Sequence, residues 1–299
     1  MAQGPIHIPA MPQEAMRLLD LPSGGTAVDG TLGLGGHAVL MAERLAPDGH
    51  LIGIDRDRAA LAHAKERLAG LDLKIDLVQG NFKDIGRLLE KIKVQAVNGV
   101  LLDLGISSFQ LNDPKRGFAF SQEGPLDMRM DAGQGDTAED LVNRYSEAEL
   151  ARIIREYGEE RFAKRIAKAI VYRRAQEKIT TTAQLAGIIL RALPRGYTRG
   201  KIHPATRAFQ ALRIVVNDEL DSLAEGLEQC LNVLKPGGRL CVIAFHSLED
   251  RIVKNTFRRW VQEGRAGPLT KKPLQCSEQE CEANPRGRSA RVRAIQRIL

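Results

Sequence analysis

The sequence predicts an α/β fold, an open and mostly parallel sheet interrupted by an all-helical insertion, on three observations. Short apolar runs alternate with helix-period segments through the first hundred residues. The alternation then gives way to about ninety residues of helical pattern, and it resumes at residue 239 with a strand-sized apolar run, Leu240 to Phe245. Strand alternating with helix means parallel pairing through right-handed crossovers, and ligands of such sheets bind beyond the carboxyl ends of the strands. With 43% hydrophobic and 27% charged residues, the 299-residue chain reads as a soluble globular protein of one large domain or two smaller ones. No apolar run approaches the ~18 residues of a membrane span, and Met1 to Met11 shows no secretory pattern, so a cytosolic protein with no membrane partner is expected.

Thr26 to Asp29, His50 to Asp55, Leu73 to Val78 and Val97 to Asp103 read as the first four strands. Between the second and third, Asp57 to Ala69 places Ala60, Leu61, Ala64 and Leu68 on one helical face. Downstream, Ser146 and Glu149 form a capping-box pattern that opens a helix toward Tyr157, and Glu159 to Gln176 and Thr182 to Leu193 continue the helical stretch. His203 to Asn217 starts another helix, with Pro204 suited to its first turn. Leu231 to Gly238 then leads through a Pro-Gly-Gly turn into the strand Arg239 to Phe245, and Ser289 to Leu299 reads as the last strand. Three segments follow: 1–112, the first part of the sheet domain; 113–203, the helical insertion and candidate RNA-recognition region; and 204–299, the second part of the sheet domain.

The loop after the first strand, Asp29 to His37, carries the spacing Gly33-x-Gly35-x-x-Ala38, and Asp55 ends the second strand twenty residues after Gly35, where a carboxylate suits a ribose hydroxyl pair. NAD and S-adenosylmethionine both fit that much. Asp29 favours the latter, because an acid at that strand end repels a pyrophosphate and attracts an ammonium and a sulfonium. The helix, Pro-Gly-Gly turn and strand at 231–245 also resemble the late strand entry of class I methyltransferases. Phe82, after the third strand, sits where those enzymes hold adenine; it stacks on the base or fills the core. Asp103 ends the fourth strand where amino-methylating enzymes carry a polar residue followed by two prolines and an aromatic. This chain lacks those prolines, so Asp103 serves either the acceptor amine or the cofactor.

Charge points to a polyanionic partner. The chain carries +7 overall, while residues 151–213 hold 15 Lys/Arg against 4 Asp/Glu and the last sixteen residues hold five Arg and no acid. On the helix from His203, Thr206, Gln210, Arg213 and Asn217 form one polar stripe, read either as a solvated face or, with Arg207, as an RNA-contacting one. His246 follows the late strand, where it acts as an acid/base or substrate ligand or merely orders its loop; Ser247 beside it suits a helix cap. Cys230 and Cys241 read as core thiols. Cys276 and Cys281 lack a second ligand pair for zinc, so they read as two loop thiols and no metal is expected.

Taken together, Asp29-Gly-Thr31 with Gly35-Gly-His37, Asp103-Leu-Gly-Ile-Ser-Ser108, Arg116-Gly-Phe-Ala-Phe120 with Gly124-Pro-Leu-Asp-Met-Arg-Met130, Tyr157-Gly-Glu-Glu-Arg-Phe162, His203-Pro-Ala-Thr-Arg207, Phe245 to Arg251 and Asn284 to Ser289 resemble one family, the bacterial small-subunit rRNA cytosine-N4 methyltransferases. The resemblance spans nearly the whole chain. It implies a class I, Rossmann-like S-adenosylmethionine-dependent methyltransferase sheet, and methyl transfer from S-adenosylmethionine to N4 of a cytidine at the ribosomal P site of 16S rRNA. By position it implies cofactor contacts at Gly35, Gly36, His37, Asp55, Phe82, Asp103 and Gln110, with Asp103 also the catalytic candidate. Phe109 stands where the family often has proline. Arg207, Gln210, Arg213 and His246 are the RNA-binding candidates, and a homodimer is left open. A dehydrogenase and a catalytically silent RNA-binding assembly factor are the competing classes, separated by cofactor titration and by single-turnover methyl transfer.

Overall fold

The computed structural model describes residues 9–194, 197 and 203–298. In chain order, α1 (Pro12–Leu19) precedes β1 (Thr26–Asp29), α2 (Gly36–Leu45), β2 (His50–Asp55), α3 (Arg58–Leu68), β3 (Lys74–Gln79), α4 (Ile85–Lys91) and β4 (Val97–Asp103). Six helices follow: α5 (Ser108–Asn112), α6 (Ala138–Arg144), α7 (Glu147–Glu156), α8 (Ala163–Arg174), α9 (Thr182–Ala192) and α10 (Thr206–Asn217). The chain closes with α11 (Glu219–Val233), β5 (Leu234–Ala244), α12 (Ser247–Gln262), β6 (Ala266–Pro268), β7 (Leu274–Gln275), α13 (Glu278–Ala283) and β8 (Arg291–Arg297).

One compact unit comprises Met1–Gly105 with Leu220–Leu299, and a second comprises Ile106–Glu219. The division differs from the boundaries at 112/113 and 203/204 expected above, because α10 packs on α7 and α6 of the helical unit. An amphipathic pattern fixes which face of α10 is buried, not which partner buries it.

In the sheet unit the strand order is β3-β2-β1-β4-β5-β8-β6, with β7 also pairing β8. The first five strands are parallel, and β8 runs antiparallel to β5, β6 and β7. The order reverses at β1, so the loops after β1 and β4 flank the switch point where ligands of doubly wound sheets bind. Alternate residues feed opposite faces. Val28, Ile52, Val100, Leu102 and Val242 pack toward α4, α11 and α12, while Ala27, Leu51, Leu101, Cys241 and Ile243 pack toward α1, α2 and α3. Burial on both faces is why these strands read as continuous apolar runs.

Two local expectations change. The Pro-Gly-Gly segment is not a turn between helix and strand: α11 runs straight into β5, and residues 235–238 bulge between the Val97–Leu234 and Gly99–Arg239 pairings. Cys276 and Cys281, expected as thiols, form a disulfide, since the turn entering α13 brings their Cα atoms to 6.1 Å, inside the range a bridge spans. Cys230 and Cys241 are buried free thiols as expected. Among the described residues no helix is long and apolar enough to cross a membrane.

In the helical unit, Leu150, Ile154, Ile166, Ile170, Leu185 and Leu212 belong to one shared core. Four of its helices start on reciprocal capping boxes: Ser107 with Gln110, Thr137 with Asp140, Ser146 with Glu149 and Thr181 with Gln184. Each box satisfies orphan amides of a first turn from residues three apart.

Candidate active site at the strand ends

Beyond β1 the chain must turn at once into α2. Gly35 makes the turn as the helix N-cap at φ 75°, a conformation that side chains other than glycine adopt at a cost. The loop is tied down by its amides: Gly30 donates to the Leu101 carbonyl at 2.9 Å, Leu32 to the Ile54 carbonyl at 3.0 Å and Gly33 to Asp55 Oδ2 at 2.7 Å. Asp55 Oδ1 accepts from the Asp57 amide at 2.8 Å. The carboxylate expected to hold a ribose therefore also anchors the glycine loop, and its remaining lone pairs stay available. Gly36 faces Pro9, which a Cβ there would approach to 3.3 Å.

Three carboxylates stand at the carboxyl ends of adjacent strands: Asp55 on β2, Asp29 on β1 and Asp103 on β4. Burial raises the Asp29 carboxyl to about 7 and the Asp55 carboxyl to about 6. Burial also raises Asp103 well above the ordinary carboxylate range, with repulsion from Asp29 and Glu249 adding to it. Among the described residues neither Asp29 nor Asp103 has a Lys or Arg ion pair. Asp29 accepts only the Thr31 amide at 3.2 Å, and Asp103 Oδ1 is buried with no hydrogen-bond partner.

His37, at the start of α2, is buried and occupied on both sides. Its Nε2 meets the Ala10 carbonyl at 2.8 Å and its Nδ1 lies 3.5 Å from Asp103 Oδ2. Because a carbonyl only accepts, Nε2 carries a proton. Nδ1 and Asp103 then attract each other only when a further proton sits between them. His37 thus places its Nδ1 edge against Asp103. Thr31 Oγ1 fixes the same residue from the backbone side, accepting the Asp103 amide at 2.6 Å.

Phe82 opens a single 3-10 turn, and its ring lies against Gly226 of α11, where a Cβ would come within 2.5 Å of it. The ring is partly buried, packed on one side against the core. His246 is the N-cap of α12 where Ser247 had seemed suited; its Nδ1 accepts the Glu249 amide at 3.4 Å, while Glu249 Oε2 accepts the amides of Phe245 and His246 at 2.8 and 3.2 Å. His246 Nδ1 thus orders its loop, while its Nε2 is buried without a hydrogen-bond partner, 3.2 Å from Glu249 Oε1.

The other predicted residues lie in the helical unit. Gln110 is buried in the capping box of α5, its Oε1 accepting the Ser107 amide at 3.1 Å. Arg207 donates to the Glu159 carbonyl at 2.8 Å, Gln210 to the Tyr157 carbonyl at 3.1 Å, and Arg213 makes two 2.8 Å bonds to Glu219. Asn217 continues the stripe, bonding the Met128 carbonyl and the Met130 amide. Arg207, Gln210, Arg213 and Asn217 thus brace α10 against neighbouring segments, while Thr206, Gln210 and Arg213 also line an open cavity with Phe118, Phe120 and Gln122. Three of the C-terminal arginines are likewise engaged: Arg291 and Arg293 with Asp250, Arg297 with the carbonyls of Leu231 and Asn232.

Thr31, Glu249 and the Ala10 carbonyl were missed from sequence. The spacing His246-x-x-Glu249 resembles a capping box and was the available signal; a backbone carbonyl 27 residues from His37 leaves none.

A model of the MraW methylase family matches residues 5–298. The small-subunit ribosomal RNA methyltransferase H of Syntrophotalea carbinolica is 52% identical over 307 aligned residues, covering 98% of each chain. Its counterpart in Geobacter sulfurreducens is 51% identical, covering 98% of this chain and 99% of its own, and that of Symbiobacterium thermophilum is 48% identical, covering 98% and 96%.

Proposed function

The chain belongs to the MraW methylase family, and we propose that it transfers a methyl group from S-adenosylmethionine to N4 of a cytidine in 16S rRNA at the ribosomal P site. The observation that carries the reading is Asp103, a buried carboxyl with one oxygen unpartnered, set beside Asp29 at the switch point with, among the described residues, no Lys or Arg paired to either. A buried acid pair with no Lys or Arg beside it among the described residues suits a cationic ligand and opposes a pyrophosphate, which favours the methyl donor over a dinucleotide.

S-adenosylmethionine supplies an electrophilic methyl on a sulfonium. Asp55 has lone pairs left for ribose hydroxyls while its other contacts keep the Gly33 loop in place. Asp29 and Asp103 hold cationic charge, and their own protons leave when such charge arrives. The N4 amine would lose one proton as its bond to the methyl carbon forms and the carbon–sulfur bond breaks, with S-adenosylhomocysteine leaving as the neutral thioether. Asp103 Oδ1 is a buried, unsatisfied acceptor at the strand ends, and His37 lies against the opposite oxygen. Most acceleration comes from holding amine and methyl at near-attack distance, and the base leaves its stack to reach the pocket.

Mass mapping of small-subunit rRNA from cells lacking and then regaining the protein tests the reading. One cytidine should lose and regain a single base methyl. An unchanged map, or a methyl on ring carbon or ribose, would overturn it.

A further inference from the structure

Five cations of the basic regions are committed inside the protein: Arg207, Arg213, Arg291, Arg293 and Arg297 all bond carboxylates or carbonyls. Other cations of the 151–213 region are exposed. Helix α8 contains no Asp or Glu. Lys164, Arg165 and Lys168 on it are exposed and, among the described residues, have no ion pair. Tyr172, one turn after, extends the series, so that 164, 165, 168 and 172 fall on one helical face about 12 Å long, and Arg161 lies in the turn that leads into it.

Two further features mark this face. Arg161 lies over the rings of Phe162 and Tyr197, at 4.6 and 4.9 Å from their centroids, and Arg165 lies 6.0 Å from that of Phe162, so both cations are held in place before any partner arrives. Tyr172 is 69% exposed, the most exposed large hydrophobic side chain among the described residues. A ring left in water amid cations costs solvation and gains nothing within the fold.

Resting on the rRNA methyl-transfer reading, we propose that this face of α8 grips the RNA substrate, with Arg161, Lys164, Arg165 and Lys168 on phosphates and Tyr172 stacked on an unpaired base. Cations provide affinity that is blind to sequence, while an aromatic platform selects single-stranded nucleotides. An amphipathic membrane helix would show several apolar side chains here, and α8 exposes only the tyrosine.

The test uses the full chain, a single-stranded fragment of 16S rRNA and a salt series, with calorimetric S-adenosylmethionine binding and a thermal melt on the same preparations. The triple variant K164Q/R165Q/K168Q should flatten the log-log salt slope by about two units, at roughly 0.7 per phosphate contact. Tyr172→Ala should weaken binding about tenfold with the slope unchanged, and Tyr172→Phe should restore it. Cofactor affinity and melting temperature should stay at wild-type values in all three. Wild-type slope and affinity in the folded variants would overturn the proposal. Equal displacement of the RNA by polyglutamate, with no effect at Tyr172, would overturn it in favour of an acidic protein partner. Methyl transfer by the wild type to small-subunit rRNA is measured alongside. Its absence would overturn the reaction assigned above, whereas its presence beside unaffected α8 variants would overturn only this surface.

Discussion

Asp250 and Asp103 are both acids set in the sheet unit, and they have been treated in opposite ways. Asp250, in the first turn of α12, bonds Arg293 at 2.7 Å and Arg291 at 3.3 Å, and these cations hold its carboxyl below the ordinary range against the opposing effect of burial. Asp103 has no such partner; burial, Asp29 and Glu249 all raise it. Asp250 fastens α12 to β8, the strand that carries both arginines. Asp103 and Asp29 fasten little and are left with a standing electrostatic cost. The contrast separates an acid that stabilises the fold from acids held in reserve for a ligand, a trade of stability for function that active sites commonly show.

The sharpest way to break the comparison is Asp103→Ala, which should lower methyl-transfer turnover by about 10²- to 10⁴-fold in single-turnover assays while the protein stays folded. A mutant with normal turnover would return Asp103 to the ordinary core. Asp250→Ala should do the reverse. It strands two arginines, so urea unfolding should show a loss of about 2 to 4 kcal/mol, with cofactor affinity near wild type. Asp29→Asn should weaken cofactor binding yet stabilise the free protein by about 1 to 3 kcal/mol at pH 8, read by the same urea titration. The sign follows from its raised carboxyl: between the unfolded value of 3.8 and the folded value of about 7 the native state holds the proton more tightly. The stability it contributes is full below 3.8 and is lost as pH rises through 7.

Wild-type cofactor affinity should fall as pH drops below about 7, by up to tenfold per unit, as Asp29 and then Asp55, at about 6, take up protons. A flat calorimetric profile from pH 8 to 5.5 would remove both from the site. The smallest effect is expected of Arg213→Gln, which breaks a half-buried bidentate pair and should lower stability by about 1 kcal/mol without altering the salt slope of RNA binding.

The parallel strands were legible because residues buried on both faces leave an unbroken apolar signature, and the strand-end acids were legible because polar residues interrupt it at the points where the sheet stops. Contacts made by chain reversal were not. Arg213 and Glu219 are six apart, off any helical repeat, and meet because Asp218 adopts a left-handed conformation at φ 52° that turns the chain out of α10. The bulge at 235–238 was hidden because Pro-Gly-Gly has the same composition whether it ends an element or bends one. His246 as a cap was obscured by Ser247, the commoner residue for the role.

The chain order of the two units also sets a schedule for a ribosome making this protein. β4 is complete at Asp103, but its neighbour β5 begins at Leu234, about 130 residues later, and β8 later still. At roughly 5 to 20 residues per second the edge of β4 waits on the order of 7 to 26 s for its partner. The helical unit, by contrast, is one contiguous stretch whose helix starts are written locally in four capping boxes, so it can fold while the sheet is still half made. Nascent chains halted near residue 225 should thus carry a protease-resistant helical core beside an open, chaperone-dependent half sheet.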